Sequence, residues 1–346
     1  MRRYLLIILI AAAAGALAVS CSREPGKETS APDARVLYPY REAPGDGYGY
    51  VSREGETLIE PRFSAAFPFS EGYAVVKRTG RFGYIDRAGR MAIGAKFDGA
   101  WDFSGGLAMV RLGSYFGYIG RDGRFAIDPT YSTGMSFSEG LAVVSTGDVG
   151  SGGYFYIDTA GKKVSDRVFP FAASFSGGLA VVGLGDAHDL RFGYITPNGR
   201  MVIPAHFTAA GPFSDGMAYA AQEDRFGFID KRGNYVIEPL YDHAGSFSEG
   251  LAPVGMGTGF RRYGFVDETG KLAIPAQFEE ASGFSDGYAL VSLNKKYGYI
   301  DTSGEYLVRP QFEEASPFYE GLAAVTLNGE RMFIGTEGQY IRPAAN

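Results

Sequence analysis

Apolar positions along the chain fall in short runs broken by Gly, Pro, Asp and Ser, and many runs alternate apolar with polar side chains. That spacing predicts short strands joined by tight turns, not helices. An aromatic-Gly-aromatic-Ile/Val pattern recurs at Tyr48, Phe82, Phe116, Phe192, Phe226, Tyr263 and Tyr297, with degenerate copies at Tyr154 and Arg331. A second pattern, Phe-Ser-acid/Gly-Gly-apolar-Ala, starts at Phe69, Phe103, Phe137, Phe175, Phe213, Phe247 and Phe284, and Phe318 is followed by Tyr319 in an eighth copy. Nine units at intervals of 34 to 38 residues are the signature of a repeat fold.

The spacing separates rigid from variable parts of each unit. The first motif's glycine position and the second glycine of the next Phe-Ser motif lie 23 residues apart in all eight cases, from Gly49 to Gly72 through Gly298 to Gly321. Length changes occur only in the following loop, which expands at 145–153, 183–190 and 255–262. A turn with Asp first and Gly fourth, as at Asp86 to Gly89 and Asp301 to Gly304, closes the Gly-Tyr-Ile strand without needing an ion. Each unit is therefore predicted to be a three-stranded antiparallel meander: an Ala-Val-Val strand, a Gly-Tyr-Ile strand and an Ile-Pro strand. The fold class is all-β, a tandem array of about nine such repeats. With RVLYPYR (35–41) filling the first slot and no strand left over for exchange, an open or superhelical array is expected, and β-propeller-like closure is the alternative.

The pattern Gly-Tyr-Ile-Asp-x-x-Gly-x-x-x-Ile-x-Pro-x-Phe-x-x-Ala-x-x-Phe-Ser-x-Gly-Leu-Ala-x-Val resembles the bacterial WG (tryptophan-glycine) β-repeat family over residues 36 to 343, with Phe or Tyr where that family has Trp. The resemblance implies a β-repeat architecture and no particular reaction.

The N-terminus gives an address. Met1-Arg2-Arg3 precedes an apolar run from Tyr4 to Ala18, which matches a secretory signal and is short for a membrane span. The run leads to Cys21, the only cysteine, and resembles a bacterial lipoprotein signal. That resemblance implies cleavage after residue 20, a lipid on Cys21, and a protein held by its lipid in the bacterial cell envelope; Ser22 after Cys21 points to the outer membrane. Residues 1–20 are then the signal peptide, 21–34 a flexible Ser/Pro/Glu/Lys tether, and 35–346 the repeat domain.

Composition narrows the chemistry further. With 50 Gly among 346 residues, 14% aromatic and 45% hydrophobic side chains, the chain can pack a core. A net charge of -6 argues against nucleic acid as a partner. Three histidines without a paired spacing give no zinc pattern, and no nucleophile elbow or phosphate loop appears, so no cofactor, metal or catalytic residue is expected. The repeated tyrosines read as core between repeats, as does Trp101.

Insertions in repeat proteins map to binding faces, so the candidate binding loops contribute Asp148, Asp186, His188, Asp189, Phe260, Arg261 and Arg262. The loops of adjacent units, 145–153 and 183–190, are expected to be neighbours. The sequence thus points to a non-catalytic, lipid-anchored β-repeat protein presenting a binding or scaffolding surface to an envelope protein or a glycan. A glycan-active enzyme and a structural spacer are the alternatives.

Overall fold

The computed structural model describes residues 36–42, 45–147, 153–186, 188–257 and 262–343. Cys21 and the residues before 36 lie outside this set, as do Asp148, Phe260 and Arg261. The described residues form nine antiparallel sheets, seven of four strands and two of three.

Blade 3 shows the plan. Its strands are Gly99–Ser104, Leu107–Leu112, Tyr115–Ile119 and Phe125–Tyr131, paired in that order. The last three are the predicted meander. The first is built from the residues leading into the Phe-Ser motif, so a unit has four strands where three are expected. This strand is hard to read because it lacks alternation: a bulge sets Trp101 and Asp102 opposite Met109 alone, between the pairs Ala100 with Val110 and Phe103 with Ala108. The first strands of blades 2 and 3 touch, so the first strand is the innermost of each blade.

The motif glycine has a packing reason. At Gly298 a Cβ would lie 2.5 Å from the Val308 carbonyl oxygen, and at Gly83 it would lie 2.6 Å from that of Ile93. The outer strand crosses over this point at a register shift, and only a residue without a side chain lets it approach. Blade 4 is the converse case. Phe155 occupies the glycine position, and this blade keeps three strands, Thr133–Gly134, Leu141–Ser145 and Phe155–Asp158, with isolated bridges to Lys163 and Phe169 in place of an outer strand.

The core lies between blades. Each of nine buried apolar clusters joins two consecutive sheets, beginning with Leu37, Tyr50, Ile59 and Phe63 against Phe69, Ala74, Val76 and Ile85. The ninth joins Tyr38 and Val51 of blade 1 to Leu322 and Phe333 of blade 9. The array is therefore a closed nine-bladed ring. The open array favoured by the strand count is corrected to the closed alternative: closure needs no exchanged strand, because blade 1 packs its face on blade 9 as other neighbours do. Tyr38 Oη donates to the Glu320 carbonyl at 2.6 Å, and the Tyr38 and Phe333 rings meet at 5.8 Å.

Eight of the nine interfaces share one aromatic contact. A residue in the Tyr slot of one blade meets the motif Phe of the next at 4.7 to 5.2 Å and 58° to 64°, from Tyr50 with Phe69 to Tyr299 with Phe318. Such pairs add about 0.5–1.5 kcal/mol each beyond their burial. The tyrosine hydroxyls finish the contact by donating to the next inner strand: Tyr84 to Trp101 O at 2.8 Å, Tyr118 to Met135 O and Tyr156 to Ala173 O at 2.7 Å, and Tyr194 to Gly211 O at 2.9 Å. The tyrosines are core, as their periodicity implies. Burial pushes all four phenols well above the usual range.

Candidate functional site

The strands run along the ring axis, so every blade contributes connections to two opposite faces. One face collects the Phe-Ser-acid-Gly turns and the Asp-x-x-Gly turns, since Tyr73 pairs with Asp86. The other collects the hairpins between second and third strands, including the described ends of the three long loops.

On the turn face the repeated polar residues serve neighbouring blades. Ser70 Oγ donates to Phe103 O at 2.8 Å, and Ser104, Ser138, Ser176, Ser248 and Ser285 repeat the bond to the next blade. The acid after that serine adopts positive φ, as at Glu71 (49°) and Asp286 (52°), a conformation disfavoured for side chains with a Cβ. Its carboxylate accepts the backbone N–H of the next blade's glycine: Glu71 from Gly106, Glu139 from Gly178, Asp215 from Gly250, Glu249 from Gly287 and Asp286 from Gly321, at 2.8 to 3.3 Å. Blades 3 and 5 have Gly105 and Gly177 there instead, with φ near 61°. The acid-or-Gly choice in the motif thus answers one backbone requirement. The caps themselves are missed by sequence reading, although an acid recurring in a Gly-tolerant slot is their signal.

The Asp-x-x-Gly turns are self-contained. Asp301 Oδ1 accepts from the Ser303 hydroxyl at 2.7 Å and from Ser303 and Glu305 N–H at 2.9 Å. Burial pushes this carboxyl up, but these hydrogen bonds outweigh it and hold it below the usual range.

The hairpin face holds the described members of the loop set. Loops 145–153 and 183–190 belong to consecutive blades 4 and 5, and 255–262 belongs to blade 7. Asp186 has a local role in the loop: its Oδ1 accepts the N–H of His188 at 2.8 Å and of Asp189 at 3.1 Å. Those two bonds, that from His188 first, hold its carboxyl below the usual range. Asp189 pairs with Arg191 at 2.9 Å, and Arg262 pairs with Glu279 at 3.4 Å. Among the described residues no group of three or more His, Cys, Asp and Glu is placed to hold a metal ion. Arg262 and Glu279 follow a scheme shared by four blades, also seen in Arg81 with Asp98, Arg225 with Asp242 and Lys296 with Glu313, that ties a blade's third strand to the end of its fourth. Asp98 and Asp242 also accept a hairpin N–H, from Gly113 and Gly257.

The axial wall breaks the repeat. Two places before the motif Phe, at the residue whose carbonyl accepts a tyrosine hydroxyl wherever the preceding blade has a tyrosine, blades 2 to 4 carry Phe67, Trp101 and Met135, while the later blades carry Ala173, Gly211, Gly245, Ser282 and Ser316. One place further on stands Asp102, the only ionisable residue in that slot among the eight inner segments. Burial pushes its carboxyl above the usual range, and no other influence offsets this.

A ring of four-stranded antiparallel blades with the core between them is a β-propeller, here with nine blades. The chain belongs to the WG containing repeat family, whose model matches at 48–81, 82–115, 116–149, 154–186, 192–225, 226–257, 263–297 and 297–330. Among solved structures, one described as a crystal structure of the eukaryotic initiation factor shares the fold, with a TM-score of 0.62 and 9% identity over 89% of this chain and 95% of that one. Kluyvelomyces marxianus Hsv2 matches with a TM-score of 0.41 and 12% identity, over 69% of this chain and 96% of that one. A puromycin hydrolase matches with a TM-score of 0.39 and 16% identity, over 85% of this chain and 58% of that one. Comparison with curated protein sequences gives no match.

Proposed function

We propose that this protein is a non-catalytic binding or scaffolding propeller of the bacterial cell envelope, held to the membrane by a lipid on Cys21 and spaced from it by residues 22–34. Its partner is an envelope protein or a glycan, met on the hairpin face through the loops at 145–153, 183–190 and 255–262. Ser22 after Cys21, by resemblance to enterobacterial sorting, supports the outer membrane over another periplasmic or extracellular location.

The observation that supports this reading is the fate of the recurrent polar groups. Serines, acids and tyrosines that would supply a reaction centre are committed to backbone partners: Ser70 to Phe103 O, Glu71 to Gly106 N, Tyr84 to Trp101 O. What differs from blade to blade is loop length and wall shape, and variation of that kind suits recognition.

Two experiments on the full-length protein in its native envelope test the proposal. Metabolic labelling with an alkynyl fatty acid should mark the wild type and not Cys21→Ala; an unlabelled wild type removes the anchor. In-cell crosslinking with mass spectrometry should link a specific partner through the three loops. Links confined to the turn face would sink the loop assignment.

A further inference from the structure

We propose that the arc of the axial wall formed by Phe67, Trp101, Asp102 and Met135 is a binding site for an organic cation, an alkylammonium or alkylguanidinium group. The site lies apart from the hairpin loops and does not depend on the anchor.

Three observations converge on this arc. The first is the local break in repeat symmetry. Blades 2, 3 and 4 place large apolar side chains at equivalent positions, and Phe67 and Met135 remain 37% and 39% exposed. In blades 6 and 7 that space is already taken: a Cβ at Gly211 would meet the Tyr219 ring at 2.1 Å, and one at Gly245 would meet Pro253 at 2.7 Å. In this slot of the inner strands, large apolar groups are thus confined to blades 2 to 4.

The second observation is the state of Asp102. It sits in the bulge beside Trp101, within electrostatic reach of the Tyr50 and Tyr84 hydroxyls. Those hydroxyls are spent on the carbonyls of Phe67 and Trp101. No donor or cation among the described residues reaches the Asp102 carboxylate. Asp102 is partly buried, and a carboxylate so placed without a protein partner is destabilising relative to a neutral residue; the fold has an alternative at hand, because the same slot holds Pro68, Ser136 or Gly283 in other blades. An ionised acid kept at that cost asks for a cation from outside.

The third is the chemistry of the neighbours. Asp102 follows Trp101 in the bulge and Phe67 holds the equivalent slot of the adjacent blade, a set that offers a carboxylate for charge pairing and rings for cation–π attraction, for which Trp is the strongest side chain; the Trp101 ring is itself held by Phe116, with centroids 5.6 Å apart. Its apolar flanks suit an alkyl stem. Phosphate, sulfate and carboxylate ligands are disfavoured by the same charge.

Trp101 is the only tryptophan in the chain and reports directly on the site. The full-length protein in detergent is titrated with n-butylammonium, n-butylguanidinium, neutral n-butanol and an acetylated tetralysine peptide while Trp101 fluorescence is followed. The cations should give a saturable change and n-butanol none. Asp102→Asn, and Asp102→Ser, which copies blade 4, should each weaken the cations at least tenfold while keeping a cooperative melt. Saturation by the free amines assigns a small-molecule source, and saturation by the peptide alone assigns a side chain of a protein. Unchanged affinity in both variants, or no saturable response to any cation, overturns the proposal.

Discussion

The Tyr319 hydroxyl donates to the Phe69 carbonyl at 3.2 Å, joining residues 250 positions apart in the chain. Elsewhere a serine makes this bond to the next blade, as Ser285 does to Phe318 O at 2.8 Å. Blade 1 has three strands and no inner one, so nine blades enclose eight inner segments and this bond runs from blade 9 past blade 1 to blade 2. A tyrosine replaces the serine where the longer reach is needed.

Shortening that residue should weaken the seam. Tyr319→Phe loses one hydrogen bond, about 0.5–1.5 kcal/mol, and Tyr319→Ser restores the motif but leaves a gap and should cost more. Hydrogen exchange should rise first at residues 38–63 and 314–341. Equal protection across all blades in both variants would contradict the seam.

The positive-φ acids give an inverted ranking. Asp286→Ala loses the Gly321 cap and keeps the backbone strain, so a loss of about 1–2 kcal/mol is expected. Asp286→Gly loses the cap alone, as Gly105 and Gly177 do naturally, and should retain more stability than the alanine variant. Thermal melts of the two decide the order.

The motif glycine admits no side chain. Gly298→Ala drives a Cβ into the Val308 carbonyl and should displace the strand Tyr306–Phe312, at a loss of 3 kcal/mol or more. Loss of exchange protection confined to that strand would mimic the outer edge of blade 4. A melt within 1 °C of the wild type would refute the packing argument.

Acid titration should separate two kinds of aspartate. Asp301 and Asp267 have folded values below 3.8, so their stabilisation is present at neutral pH and is lost as pH falls below the unfolded value. Asp102 has the opposite sign. Its folded value is raised, so its ionised form opposes folding above that value, and the penalty fades as pH falls toward 3.8. Asp102→Asn should therefore melt a few degrees higher than the wild type at pH 7, with the gap closing near pH 4.

Repeat boundaries, turn chemistry and buried tyrosines were legible because each rests on local spacing: Asp86 to Gly89 is a turn by its own residues, and Tyr84 is core by period. The inner strand was not, because Trp101 and Asp102 sit in a bulge that erases alternation. Closure was hidden for a different reason. A search for a leftover strand looks for hydrogen-bonded exchange, whereas Tyr38 and Phe333 close the ring by packing. Of the loop residues, Asp186 and Arg262 turned out to have local partners, which composition does not reveal. Asp102 was visible only by comparing one slot across all units.

Because blade 9 meets blade 1 through the same kind of apolar face that joins other neighbours, circularity here rests on packing, with the Tyr319 bond added at the seam. Duplicating or deleting one unit would leave two compatible faces at the ends. Copy number in such a chain can drift without loss of the ring, and with it the diameter of the central opening.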